Sequence, residues 1–163
     1  MIIGEAPTDE EDAQGVPFVS KAGEKLDKIL KYVGVTREDV YITNAVLCRT
    51  PNNRDPRGEE LNACKWRLDL QISLLKPQLI IVLGRVAMHQ FMGEPIKGAL
   101  SKYFPENIKG EWLNYGFHGH VAKVLVTYHP SYHLRSPERA YHTTLPHWNL
   151  VKDWLEKNRR VTI

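Results

Sequence analysis

Long hydrophobic runs are missing from this sequence. The longest aliphatic stretch, Leu79 to Leu83, falls far short of the ~20 apolar residues that span a bilayer, so no membrane contact is expected. A leader pattern is missing too, because "MIIGEAP" has neither a basic start nor a small-residue cleavage site, and the chain reads as intracellular. Cysteine is scarce: Cys48 and Cys64 alone exclude a disulfide scaffold and read as reduced, buried or relic metal ligands. There is no internal repeat, low-complexity tract or interdomain linker, and 163 residues suit one compact domain over 1–163. Nor is there a strong excess of one charge. The net charge of +3 permits contact with a phosphate backbone without demanding it.

What is present is an alternation of strand and helix signals. Apolar runs at "VYIT" (40–43), "LIIVL" (79–83) and "KVLVT" (123–127), with "MII" as a shortened fourth, predict strands buried on both faces. Between them, Leu26, Ile29, Leu30 and Val33 recur at helical spacing after Ser20, and Gly34 marks the stop. A second stripe runs through Leu61, Cys64, Leu68, Ile72 and Leu75, closed by Pro77. Further helices are predicted after Gly84 and over about Leu145 to Lys157. The expected fold is α/β: a three-layer α/β/α sandwich around a central, mostly parallel four-stranded sheet. In such sheets ligands bind beyond the carboxyl ends of the strands.

That rule selects the loops with chemistry. The first gathers Glu5, Asp9, Glu10, Glu11 and Asp12 before Phe18, and its carboxylates could bind a metal, activate water or be merely solvated. The second starts with Asn44, whose amide suits either reading a base edge or capping its own turn, and carries Arg49, Arg54 and Arg57 as phosphate contacts or surface charge. The last, "TYHPSYHLRSP", places His129 at a strand end as a donor to a developing anion or as a structural histidine. Tyr132 to Arg135 there suggest a surface wedge beside a phosphate contact.

In order, "GEAP", "EED", "PFV", "YITN", "LIIVLG" and "TYHPSYHLR" resemble family 4 uracil-DNA glycosylases over about Ile2 to Trp154. The resemblance implies a monofunctional glycosylase that flips uracil from DNA and hydrolyses its N-glycosidic bond, leaving an abasic site for base excision repair. It implies Phe18 as the stacking platform, Asn44 as the reader of the base edge, and His129 as stabiliser of the departing uracil. Glu11, with Glu5 as second candidate, would orient water or stabilise the sugar cation. Ala6 and Pro7 would line the pocket, and Tyr132, His133, Leu134 and Arg135 would enter the DNA groove.

The chain departs from that family in specific places. The family's iron-sulfur cluster uses four cysteines; Cys48 and Cys64 match its second pair, but no N-terminal C-x-x-C is present. The expectation is therefore no cofactor, with Cys64 a buried free thiol and Trp66 packing in compensation; a [4Fe-4S] cluster would need two cysteines from a missing segment or a second chain. Thr8 and Ser20 stand where the family has glycines, and His133 where leucine is usual. These leave open a modified pyrimidine as substrate, or a catalytically weak DNA-binding or replication-accessory protein. The expected state is a monomer acting on uracil-containing DNA, with repair or replication proteins as partners, and its compact form suggests a viral or mobile-element source.

Overall fold

The computed structural model describes residues 1–108, 112–117 and 119–159. Its strands are β1 (Ile2–Gly4), β2 (Ile42–Asn44), β3 (Leu79–Leu83), β4 (Leu113–Phe117) and β5 (His120–Thr127). Its helices are α1 (Asp9–Gln14), α2 (Lys21–Val33), α3 (Gly58–Leu75), α4 (Arg85–Met92), α5 (Tyr132–Arg135) and α6 (Pro137–Arg159). The sheet order is β2-β1-β3-β5-β4, parallel except for β4, which pairs antiparallel with β5.

Successive residues of the central strands enter opposite cores, which is why the runs are apolar throughout. Ile3, Ile80, Val82, Val124 and Val126 pack with Leu68 and Ile72 of α3 and Met88 and Phe91 of α4. Ile2, Ile81, Leu83 and Leu125 pack with Leu26 and Leu30 of α2 and Trp148 and Val151 of α6. Two helical layers thus enclose the sheet, as the pattern implied.

Four details differ from the sequence expectation. The sheet has a fifth strand, β4, whose alternation with Asn114 and Gly116 lacks the continuous apolar signature of a central strand. Helix α6 begins at Pro137 rather than near Leu145; Pro146 lies inside it and has no N–H for the carbonyl four residues back, so the pattern looked broken there. Trp66 is 66% exposed and does not pack inward. Cys64 is only half-buried, against the small cluster of Ala45, Val46, Leu61 and Val86, while Cys48 is exposed.

Since β1 lies between β2 and β3, the chain leaves it through α2 on one face and returns from β2 through α3 on the other. A crevice opens at the carboxyl ends where these connections diverge.

Candidate active site

A cavity of about 260 Å³ occupies that crevice. Glu5, Ala6, Pro7, Glu11, Phe18 and Asn44 line it, together with His129 and Arg135. Residues far apart in sequence therefore meet at one point, as the strand-end rule required.

Two glycines make room for them. A Cβ on Gly4, the last residue of β1, would strike Asn44 Oδ1 and come within 2.5 Å of the Phe18 ring. Gly84, after β3, has φ of +93°, and a Cβ there would overlap the Glu5 carboxylate and lie 3.2 Å from His129 Cβ. The second also needs a backbone conformation that only glycine adopts readily.

Asn44 is 4% exposed, and its backbone carbonyl accepts a hydrogen bond from Arg67 Nη2 at 2.9 Å. Among the described residues no hydrogen bond engages its side-chain amide, so it does not cap its own turn. A buried amide with donor and acceptor both free toward a cavity is a site for a ligand carrying the complementary pair.

Phe18 is buried with φ of +57°, a left-handed conformation that an aromatic residue adopts only under outside constraint. Arg37 supplies that constraint. Its Nη1 donates to the Pro17 carbonyl at 2.9 Å, its Nη2 donates to the Phe18 carbonyl, and its Nε pairs with Asp27 at 2.5 Å. Gly23 in the first turn of α2 lets the Phe18 carbonyl approach where any Cβ would collide with it. The Phe18 ring is thereby stacked beside His129, centroids 5.4 Å apart and planes 26° apart.

His129 Nδ1 accepts the backbone N–H of Ser131 at 3.2 Å, with the Ser131 hydroxyl at 3.0 Å. An amide N–H can only donate, so Nδ1 is unprotonated and the neutral ring carries its proton on Nε2. Burial pushes the imidazole down to about 4; Glu11 opposes this and Arg135 adds to it. At neutral pH the ring is an uncharged donor through Nε2.

Glu11 is the one buried member of the acidic run, at 6% exposure, whereas Asp9, Glu10 and Asp12 are exposed. Thr8 donates to its Oε2 through the backbone N–H at 2.7 Å and the hydroxyl at 3.0 Å, and Ser20 Oγ reaches Oε1 at 3.3 Å. The two hydroxyl residues in unusual positions thus hold this carboxylate in place. Glu5 accepts the Val86 N–H at 3.2 Å, and burial raises its carboxyl to about 7, with Asp55 adding and the Val86 bond and Arg135 opposing.

The last two shifts have opposite consequences for stability. Glu5 binds its proton more tightly folded than unfolded, so its contribution falls as pH rises from 4.5 to about 7. His129 binds its proton less tightly folded, so its contribution is lost as pH falls from 6.5 to about 4. In the shared window they offset each other. Glu5→Gln, which keeps an acceptor for Val86, should therefore gain about 1–2 kcal/mol over the native chain by pH 8, after allowance for solvent screening, and nothing at pH 4. Thermal melts across that range check this; parallel melting curves for the two proteins would show that the Glu5 carboxyl is unperturbed.

The residues expected at the DNA groove and the second-loop arginines lie mostly outside the cavity. Tyr132 packs on Tyr128, ring centroids 4.3 Å apart, His133 turns away to Thr144 Oγ1 at 3.0 Å, and Leu134 is 43% exposed at the tip of α5. Of the arginines in the second loop, Arg54 reaches the cavity wall but is forked onto Glu60 at 2.7 and 2.8 Å. Arg49 bonds Asn53, and Arg57 is exposed near Glu59. Arg37 and Arg67 were missed because each acts through backbone carbonyls brought near only by folding.

Cys48 and Cys64 are both free thiols. Two thiols cannot supply a four-cysteine ligand set, and no group of three or more His, Cys, Asp or Glu side chains able to hold a metal occurs among the described residues. No described helix is long and apolar enough to cross a membrane.

The cavity thus brings together an aromatic ring, an amide with no described side-chain partner and a neutral imidazole donor. The model of the uracil DNA glycosylase superfamily matches residues 1–155, and the chain belongs to that family. It is 42% identical to a type-4 uracil-DNA glycosylase of Pyrobaculum aerophilum, over 84% of this chain and 68% of that protein. Similar proteins of the same name occur in Saccharolobus solfataricus, 39% identical over 84% of this chain and 62% of the relative, and in Thermotoga maritima, 42% identical over 83% and 66%. The chain thus spans about two thirds of the length of these relatives.

Proposed function

We propose that this chain is a uracil-DNA glycosylase acting in base excision repair. The observation that carries the reading is the Asn44 amide, buried, free of described protein partners and adjoining Phe18 and His129 in one cavity. Uracil stacks on Phe18, and Asn44 pairs with its acceptor and N–H edge. As the N-glycosidic bond breaks, its electron pair leaves with the base, and His129 Nε2–H stabilises the growing negative charge on the uracil oxygen without having to transfer its proton.

The sugar left behind is cationic at C1′. Glu11, held by Thr8 and Ser20, lies on the same cavity to stabilise that cation and orient the water whose oxygen bonds C1′; Glu5 is a second acceptor for the water's proton. The products are free uracil and an abasic site. No metal, cluster or diffusible cofactor takes part in this scheme. Engagement of Thr8 and Ser20 with Glu11 favours an intact hydrolytic site over a DNA-binding protein with a decayed one.

Arg135, exposed at the end of α5 yet bordering the cavity, serves as a phosphate contact beside the flipped nucleotide. Arg135→Ala should lower the slope of log K against log salt by about 0.7–0.9, as expected for one lost phosphate. An unchanged slope in titrations across salt concentrations would remove Arg135 from the DNA interface. The activity itself is tested with single-stranded and U:G duplex oligonucleotides followed by alkaline cleavage. Strand scission at the uracil is expected; intact DNA with both substrates would overturn the proposal.

A further inference from the structure

A second cavity, of about 270 Å³, lies on the other side of α5, between α2 and α6. Ile29, Leu145 and Trp148 form its apolar base, Tyr32 and Tyr141 bring aromatic rings, and Lys25 and Lys28 bring charge. Among the described residues no carboxylate lines it. Trp148 is 3% exposed, whereas Tyr141 is 55% exposed. Tyr32 is fixed in place, its hydroxyl on Asn149 Oδ1 at 2.5 Å and Lys152 Nζ 5.1 Å from its ring centroid.

Helix α5 is the partition between the two cavities. Ser131 and Arg135 border the Phe18–Asn44 site, while His133 enters the α2–α6 groove and is tied there to Thr144. Burial and the nearby Lys25 lower the His133 imidazole, so the groove's positive charge comes from its lysines. A helix with its side chains is about 10 Å across, so a strand whose nucleotide is inserted on one side reaches the other within a step or two.

We infer that the α2–α6 groove is a single-stranded DNA subsite that stacks a base flanking the flipped nucleotide while Lys25 and Lys28 hold its phosphate. The inference rests on the glycosylase reading for the position of the flipped nucleotide. Aromatic rings interleaved with cations of one sign are the arrangement that binds single strands without reading sequence, since every base has a face to stack. A peptide or apolar small molecule would use the floor but leave the lysines without a phosphate to meet. The lysines and the shared α5 wall therefore favour DNA.

The test uses two short single-stranded oligonucleotides with one central uracil. One has ordinary bases on both sides; the other has abasic spacers at the flanking positions with the phosphates retained. Native protein should bind the base-flanked strand about five- to tenfold more tightly in fluorescence anisotropy, the gain of one stacked base. Tyr141→Ala should abolish that preference. Lys28→Glu, on the surface of α2, should weaken both strands and flatten their salt dependence. Equal affinity of native protein for the two strands, or a preference that survives Tyr141→Ala, would overturn the subsite. Assaying base release from the uracil strands alongside binding separates the two readings: a preference for flanking bases without any uracil release would sustain the groove and sink the glycosylase assignment. Uracil release with no flanking-base preference would do the reverse.

Discussion

His129→Ala should lower kcat on uracil-containing DNA by about 10²–10³, the usual effect of losing one pre-positioned donor to a developing anion. KM should change little, because Phe18 and Asn44 still bind the base. Asn44→Ala should reduce kcat/KM by at least about tenfold, with the loss falling mainly on KM. The difference between the two follows from their proposed roles: Asn44 would meet the ground-state edge of the base, whereas the neutral Nε2–H of His129 would become more valuable as charge accumulates. Single-turnover rates with saturating protein isolate the chemical step. Native-like rates in His129→Ala, with an unchanged melting temperature, would exclude the imidazole from catalysis. Because His129 protonates only at about 4, its contribution to the rate should hold through pH 6, where an ordinary histidine would be about three-quarters charged.

Much of this site is legible in the amino-acid sequence. The central strands announce themselves because both faces are covered, and strand ends then select the loops that carry Phe18, Asn44 and His129, which the family resemblance singles out within them. Strand β4 is not legible, since an edge strand with Asn114 and Gly116 carries no continuous apolar signal. The acidic loop is legible as a cluster only. Which carboxylate turns inward depends on α1, one short helix whose Thr8–Glu11 capping box buries Glu11 and leaves its neighbours in solvent. Thr8 and Ser20 look like obstructions because sequence shows the size of a side chain but not its partner; their hydroxyls prove to be donors to that same carboxylate. Tyr132, His133, Leu134 and Arg135 read as one groove-entering wedge; the turn of α5 sends their side chains in different directions, and of the four Arg135 borders the cavity.

Arg37 carries no sequence signal at all, and its removal should be costly. The residue is one charge among several in "TREDV", but folding places its guanidinium on the carbonyls of Pro17 and Phe18. Arg37→Met keeps the length of the side chain and leaves both carbonyls without that donor, a loss of about 2–4 kcal/mol since hydrogen bonds from charged donors are the stronger ones. Phe18 would then be free to leave its positive-φ conformation, and the stacking face would move off the His129 side of the cavity. Free uracil should bind about tenfold more weakly, and KM should rise more than kcat falls. Lysine cannot restore the native state, because a single ammonium lacks the planar fork that meets both carbonyls and Asp27 together. The decisive readout is uracil affinity measured well below the variant's melting temperature. A merely stabilising arginine would lower the melting temperature and leave that affinity intact, whereas a residue that positions Phe18 must change both.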